Sequence, residues 1–245
     1  MQSVIVVGAG IIGLSCGYHL ACKGLGVTIV EENVPGIGQS TKTGGGIRYF
    51  HGSDENVEMS FVSQKFWEKF YETFNIDPDY QKTGHLFLTS NAQVSQDLYN
   101  SSNHVGLNLE ILKKSQIQVR WPHLSGLKLE YGIYCPLGGY LDHKKAIEGL
   151  VKGFKSLGGV IRLGVKARSL IKIKNKVIGI MSSKGPLTAD AILNCAGAMA
   201  NELTQYTHTL DPFKSRHHEL IIVKPKRSVP EATPWLIDVD NQVHL

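Results

Sequence analysis

The chain opens with Ser3-Val-Ile-Val-Val7, runs into Gly8-Ala9-Gly10-Ile11-Ile12-Gly13, and reaches Val27-Thr-Ile-Val-Glu31 after a second apolar stretch. This order constrains the fold more than any other feature. A short all-apolar run suits a parallel strand buried on both faces. Gly-x-Gly-x-x-Gly directly after it marks a tight turn into a helix. Residues 11–23 read as that helix, with Leu14, Tyr18 and Ala21 on one stripe and Gly24 and Gly26 to stop it. Residues 27–30 read as a second strand, and Glu31 stands at its end, 18 residues beyond Gly13.

In a βαβ unit of this kind the first glycine permits the turn. The second lets a pyrophosphate approach the backbone, and the third lets helix and strand pack closely. The helix N-terminus adds free N–H groups and a partial positive charge. Glu31 accepts from ribose hydroxyls and repels a 2′-phosphate, so an NADP-type ligand is disfavoured. Close packing of a ligand-free βαβ unit explains the glycines but not the acid. The motif alone does not choose between NAD and FAD.

Composition bounds the alternatives. A 245-residue chain with 42% apolar and 19% charged residues is long enough for a large core. The net charge of +5 is spread along the chain, with Lys224-Pro-Lys-Arg227 as its one basic block. Nucleic acid binding is therefore disfavoured, and aromatics are not interleaved with basic residues as a stacking platform needs. The four cysteines, Cys16, Cys22, Cys135 and Cys195, form neither a CxxC pair nor a metal-ligand spacing, and read as buried thiols of a reducing cytoplasm. Glycines, His19 and Lys23 interrupt the apolar start. It fits neither a secretory leader nor a membrane span.

Residues 35–48, Pro-Gly-Ile-Gly-Gln39-Ser40-Thr41-Lys-Thr43-Gly44-Gly45-Gly46-Ile-Arg48, form a glycine- and hydroxyl-rich loop where a nicotinamide enzyme usually continues into another helix and strand. Its N–H groups suit a flat ring or a diphosphate; a flexible surface loop has the same composition. Beyond it, residues 54–74 read as an amphipathic helix with Val57, Phe61, Phe66, Phe70 and Phe74 inward. Strands are expected at 83–90, 107–112, 160–163, 170–174, 176–181, 187–194, 220–223 and 235–239. Turns are expected at Asn175 and Lys184-Gly185, and helices at 92–100, 115–121 and 143–157.

From the first glycines onward the chain resembles the D-amino-acid oxidase superfamily, in its sarcosine oxidase, glycine oxidase and proline dehydrogenase β-subunit branch. The likeness rests on residues 8–50, and on Lys82-Thr-Gly-His-Leu-Phe-Leu88, Gly138-Gly-Tyr-Leu-Asp142 and Thr188-Ala-Asp-Ala-Ile-Leu-Asn-Cys-Ala-Gly-Ala198. It implies an α/β fold: a Rossmann-like FAD-binding domain (1–50 and 141–203) interleaved with a mixed-sheet α+β substrate domain (51–140 and 204–245). It implies FAD as cofactor, with ADP contacts at Gly8, Ala9, Gly10, Ile11, Ile12, Gly13, Glu31 and Glu32. Gln39, Ser40, Thr41, Thr43, Gly44, Gly45 and Gly46 would run beside the diphosphate, ribityl chain and ring. A backbone adenine contact is implied at Ala167, and a closing turn at Ala196 and Gly197. Met199 stands where the family usually has a larger residue. Relatives also continue for roughly a third of their length beyond residue 245. The resemblance thus implies either a truncated product or a second polypeptide that completes the fold.

Enzymes of this family take a hydride from the carbon beside an amine and pass it to flavin N5, with no protein nucleophile or metal. An amino-acid substrate brings a carboxylate, and Arg48 either clamps it or neutralises an internal anion. His51 either contacts the flavin face or is a solvent-exposed loop histidine. Of His217 and His218, at most one points inward from the strand expected after them; His218 is carried as the candidate. Tyr49 and Glu219 are weaker ones. The expected activity is oxidation of sarcosine, proline, glycine or a similar amine. The rivals are an FAD- or ADP-binding fragment without turnover and, less favoured, an NAD-linked dehydrogenase.

Overall fold

The structure, a computed structural model, describes residues 2–49, 53–102, 106–174, 176–204, 214–216 and 218–244. In chain order its strands are β1 (Ser3–Val7), β2 (Gly26–Glu31), β3 (Gly46–Ile47), β4 (His85–Thr89), β5 (Glu110–Lys113), β6 (Tyr131–Cys135), β7 (Gly139–Tyr140), β8 (Val160–Leu163), β9 (Ala167–Ile173), β10 (Lys176–Ser182), β11 (Gly185–Thr188), β12 (Ala191–Asn194), β13 (Trp235–Asp238) and β14 (Val243–His244). The helices are α1 (Ile11–Cys22), α2 (Asp54–Glu68), α3 (Phe70–Phe74), α4 (Ala92–Ser102), α5 (Lys114–Arg120), α6 (His143–Ser156) and α7 (Asn201–Thr204). The chain divides into two compact units. Unit 1 comprises Met1–Thr43, Phe70–Pro78 and His143–Ile221; unit 2 comprises Gly44–Lys69, Asp79–Asp142 and Ile222–Leu245.

Unit 1 is built on a parallel sheet of order β12-β1-β2-β8. The all-apolar β1 is buried from Val4 to Val7 because layers cover both its faces. On one face lie α1 and α6, joined by α3, whose Phe70 and Phe74 press into α6 where Gly149 and Gly153 leave room. On the other lies the antiparallel sheet β11-β10-β9. Ile180 and Leu170 there pack with Ile5, Val7 and Val30.

Unit 2 holds a mixed sheet of order β14-β13-β4-β6-β5, in which β13 runs parallel to β4. Period-2 alternation sorts its residues onto two faces. Phe87, Ile133 and Ile237 join Tyr49 and Val57 on one, while Leu86, Tyr134 and Leu236 join Ile117, Trp121 and Leu124 on the other.

Four local expectations give way. The helix expected over 54–74 breaks at Lys69, because its halves serve different cores: Val57 and Phe61 pack in unit 2, Phe70 and Phe74 in unit 1. The strand expected over 107–112 starts at Glu110, since Asn108 takes a left-handed φ of 51°. The strand expected over 187–194 is two strands in different sheets. Asp190 turns the chain between them, its carboxylate accepting from Ser3 N at 2.8 Å and Ser3 Oγ at 2.9 Å. Residues 220–223 form no ladder among the described residues, and all four are exposed. The turn expected at Asn175 lies outside the described residues.

Candidate functional site

The turn from β1 into α1 brings the glycine motif, Glu31 and Ser40 together. Gly8 has φ 101°, open to glycine and strained for other residues, and a Cβ there would lie 2.5 Å from the Cys195 carbonyl oxygen. A Cβ at Gly13 would collide with the Gly8 carbonyl, so the helix meets the turn in direct backbone contact. Gly10 differs. The one heavy atom near its missing Cβ is Ser40 Oγ, at 3.1 Å, and its outer side stays open.

Gly10 is also the N-cap of α1 and brings no side chain to cap it; the first turn holds no acidic residue. The amide of Ile11 donates to Ser40 Oγ at 2.9 Å. Beyond that single hydroxyl, the positive end of a three-turn helix meets no carboxylate of its own first turn, which suits an anion. Ile12 projects outward, 64% exposed.

Glu31 is half-buried, and both its oxygens are held: Oε2 accepts from Ala9 N and Oε1 from Asn33 N, each at 2.9 Å. Two amide donors fix the carboxylate plane, and each oxygen keeps a lone pair for a hydroxyl. The neighbouring Glu32 is exposed and pairs with Lys166 at 3.5 Å. From the far side, Ala167 and Ala196 pack on the cluster that holds Val7 and Val30. Asn194 shapes the turn after β12, its Oδ1 accepting from Ala196 N at 3.2 Å and its Nδ2 donating to Ala200 O at 2.9 Å. Gly197 follows with φ 57° and open space where a Cβ would be. An adenine dinucleotide fits this part of unit 1 by donor set and by room: amides and a helix end for the diphosphate, an oriented carboxylate for the ribose.

The loop beyond forms a short 3-10 turn over Gln39–Thr41, with Thr41 Oγ1 donating to Gly36 O at 2.7 Å. The first segment of unit 1 ends at the exposed Thr43. Gly44–Gly46 belong to unit 2 and are packed, not loose. The six-membered ring of Trp235 occupies the place of a Cβ at Gly44 and lies 3.3 Å from one at Gly46. The Leu141 carbonyl blocks one at Gly45, where φ is 75°.

Arg48 follows Ile47 and is exposed overall, although the atoms around its guanidinium desolvate it enough to lower its pKa from the ordinary value. Arginine stays a cation regardless. Tyr49 is fully buried, and burial first, then Tyr80, hold its phenol well above the usual range. His218 and Glu219 are exposed in unit 1, on no strand; His51 and His217 lie outside the described residues. Motif reading missed Asn194, Cys195 and Trp235. Their parts are a turn-shaping amide, a carbonyl and a packing ring, none of which has a spacing rule.

Burial, and then Cys16, push the Cys195 thiol up to about 12; burial pushes Cys135 up to about 11. All four cysteines are free. Among the described residues no helix is long and apolar enough to cross a membrane.

The chain is 25% identical to 4-methylaminobutanoate oxidase (formaldehyde-forming) of Paenarthrobacter nicotinovorans over 98% of its length, and spans 30% of that protein. It is 23% identical to human mitochondrial dimethylglycine dehydrogenase, again over 98% of the chain and 29% of the relative. Its fold superposes on L-proline dehydrogenase from P. horikoshii with a TM-score of 0.86 at 20% identity, covering 99% of this chain and 66% of that one. Glycine oxidase from Bacillus cereus gives a TM-score of 0.73 at 19% identity, covering 85% and 60%. Thus the chain spans less than a third of the curated relatives named here. The model of the DAO family, FAD dependent oxidoreductase, matches residues 3–245, and the chain belongs to that family, whose cofactor is FAD.

Proposed function

We propose that this chain carries the ADP-binding half of an FAD site and works in oxidising the CH–NH bond of a small amino acid or secondary amine. The observation that carries the reading is the β1–α1 turn: a helix end without a first-turn acid, beside a carboxylate oriented by two amides. The relatives' names support the substrate class, since dimethylglycine, sarcosine, L-proline and glycine all bear an amine nitrogen beside the carbon to be oxidised.

FAD, when bound, supplies a hydride acceptor at flavin N5. The chain's residues bind and orient. Amides at the start of α1 meet the diphosphate, and Glu31 accepts from the ribose. Ala167 and the turn at Ala196 and Gly197 border the adenosine, and Gln39–Gly46 continue toward the ring. Arg48 meets the substrate carboxylate as a permanent cation. A cytoplasmic location accords with four free thiols.

A second reading is favoured by the share of the relatives that is spanned: an FAD- or ADP-binding portion that turns over only together with the polypeptide forming the rest of the fold. One experiment addresses both. The purified chain is examined by absorption, alone and with that remaining polypeptide, before and after anaerobic addition of sarcosine, dimethylglycine, L-proline and glycine. Bleaching of a flavin band by one of these amines supports the oxidoreductase reading and names its substrate. A flavin band that no amine bleaches, even in the completed assembly, leaves the binding portion alone standing. Arg48→Ala is expected to raise KM for a bleaching amine about tenfold or more with little change in flavin content.

A further inference from the structure

In unit 2 the stretch Ile222-Val-Lys-Pro-Lys-Arg227 is exposed at every residue. Ile222 is 92% exposed and Val223 73%. Successive side chains of an extended backbone point to opposite sides. Two bare apolar neighbours therefore mean that neither side of this stretch is packed against a core. Adjacent apolar residues left in water on a folded surface mark an interaction site more often than a scattered single one does.

The charges beside them are all of one sign. Among the described residues Lys224, Lys226 and Arg227 pair with no carboxylate. Residues 220–230 contain no acid at all, and Glu219 and Glu231 stand outside them. The stretch is also tethered. Just beyond it, Thr233 N donates to Pro230 O at 3.0 Å, Thr233 Oγ1 lies 2.9 Å from His123 Nε2, and β13 begins at Trp235.

The chemistry of this surface narrows its partner. Pro225 has no N–H for a ladder, so the stretch is a poor template for an added strand. A flat protein face covers one side of an extended chain and leaves the other wet. It carries no aromatic residue on which a base could stack. The headgroup layer of a membrane closes around both sides, and its phosphates answer the cations.

We propose that residues 222–227 dock this protein on an anionic phospholipid surface, with Ile222 and Val223 entering the headgroup boundary and Lys224, Lys226 and Arg227 meeting the phosphates. Apolar insertion and a basic cluster are the two signals that together hold a protein on a membrane without spanning it. Among the described residues no helix is long and apolar enough to cross one, so the contact is peripheral. The inference stands apart from the cofactor reading, since no residue of the β1–α1 turn takes part.

The test is sedimentation of the full chain with vesicles of phosphatidylcholine alone and of three parts phosphatidylcholine to one part phosphatidylserine. We expect binding to the anionic vesicles only, weakening as salt is raised. Lys226→Ala with Arg227→Ala should lower the partition constant about twentyfold, at about fivefold per basic residue. Ile222→Ser with Val223→Ser should lower it about tenfold or more. Melting of both double variants should match the parent, because all four side chains are exposed.

No binding to either vesicle, or equal binding to both, overturns the inference. So does an unchanged partition in the serine variant, which reduces the stretch to a basic patch, or equal affinity for duplex DNA. Two further results assign the surface to another occupant and overturn it as well. One is a dimer in lipid-free solution that the serine variant dissolves. The other is loss of vesicle binding once the polypeptide forming the rest of the fold is supplied.

Discussion

Two glycine clusters serve this chain in opposite ways. In unit 1, Gly8 and Gly13 stand where backbone meets backbone: the Cys195 carbonyl passes Gly8, and Gly13 meets the Gly8 carbonyl. In unit 2, Gly44, Gly45 and Gly46 are consecutive, and side-chain packing dictates the first, since the Trp235 ring occupies the place of a Cβ at Gly44. A constraint between backbones leaves nothing to adjust. A constraint set by an indole can be relieved by changing the indole. The two clusters should therefore respond differently to the same substitution.

The largest effect is expected for Gly8→Ala and Gly13→Ala. Each added methyl meets a carbonyl belonging to β1–α1 or to the turn after β12, and Gly8 also has φ 101°. We expect a loss of about 3 kcal/mol or more in unfolding free energy, measured by denaturant titration, with no second-site rescue by a smaller side chain. Gly44→Ala is expected to cost about 1–3 kcal/mol in the same assay, as overpacking does, and to recover in part with Trp235→Phe. Equal and equally unrescued losses at Gly13 and Gly44 would erase the distinction drawn here.

A smaller contrast concerns acid. Each unit has a surface aspartate that pins two strands. Asp190 accepts from Ser3 in unit 1. In unit 2, Asp240 accepts from Thr89 Oγ1 at 2.6 Å and from Ser90. Backbone and hydroxyl donors of Ser3 hold the Asp190 carboxyl below the ordinary 3.8, and those of Ser90 and Thr89 do so for Asp240. A folded pKa below the unfolded one gives stability that is fully present above the unfolded value and is lost as pH falls through the folded one. Melting temperature should thus decline below about pH 4, and Asp190→Asn and Asp240→Asn should each flatten part of that decline. Both groups are exposed, so solvent screening keeps each contribution small. The smallest expected effect is chemical. Cys22 is exposed, whereas Cys135 and Cys195 stay protonated at neutral pH with pKa values of about 11 and about 12. Maleimide followed by mass spectrometry should label Cys22 first and those two last.

The two clusters also differ in how far the sequence disclosed them. The first glycines, their flanking apolar strands and Glu31 are local features with a fixed order, so strand, turn, helix and acid were all readable in one pass. Other elements depended on partners distant in the chain. Asp190 splits residues 187–194 because Ser3, 187 positions away, donates to its carboxylate. Lys69 interrupts a continuous apolar stripe because its halves belong to different cores, which periodicity does not reveal. Residues 220–223 have a strand's composition but no ladder partner among the described residues, and composition alone does not create one. The triple glycine also has the composition of a flexible loop, since the ring packed against Gly44 lies almost two hundred residues later. His218 was carried as a candidate on the strand expected after it, and without that strand it lies exposed.

The central claim is that an adenine-bearing flavin rests its diphosphate on the amino end of α1, with its ribose on Glu31. Calorimetric titration of ADP into the parent chain and into Glu31→Ala tests it most directly. We expect saturable one-to-one binding by the parent and a fall in affinity of about tenfold to a hundredfold in the variant, the range for loss of charge-assisted hydrogen bonds, with both proteins folded by circular dichroism. Equal ADP affinity in parent and variant, or binding by neither, would contradict the account.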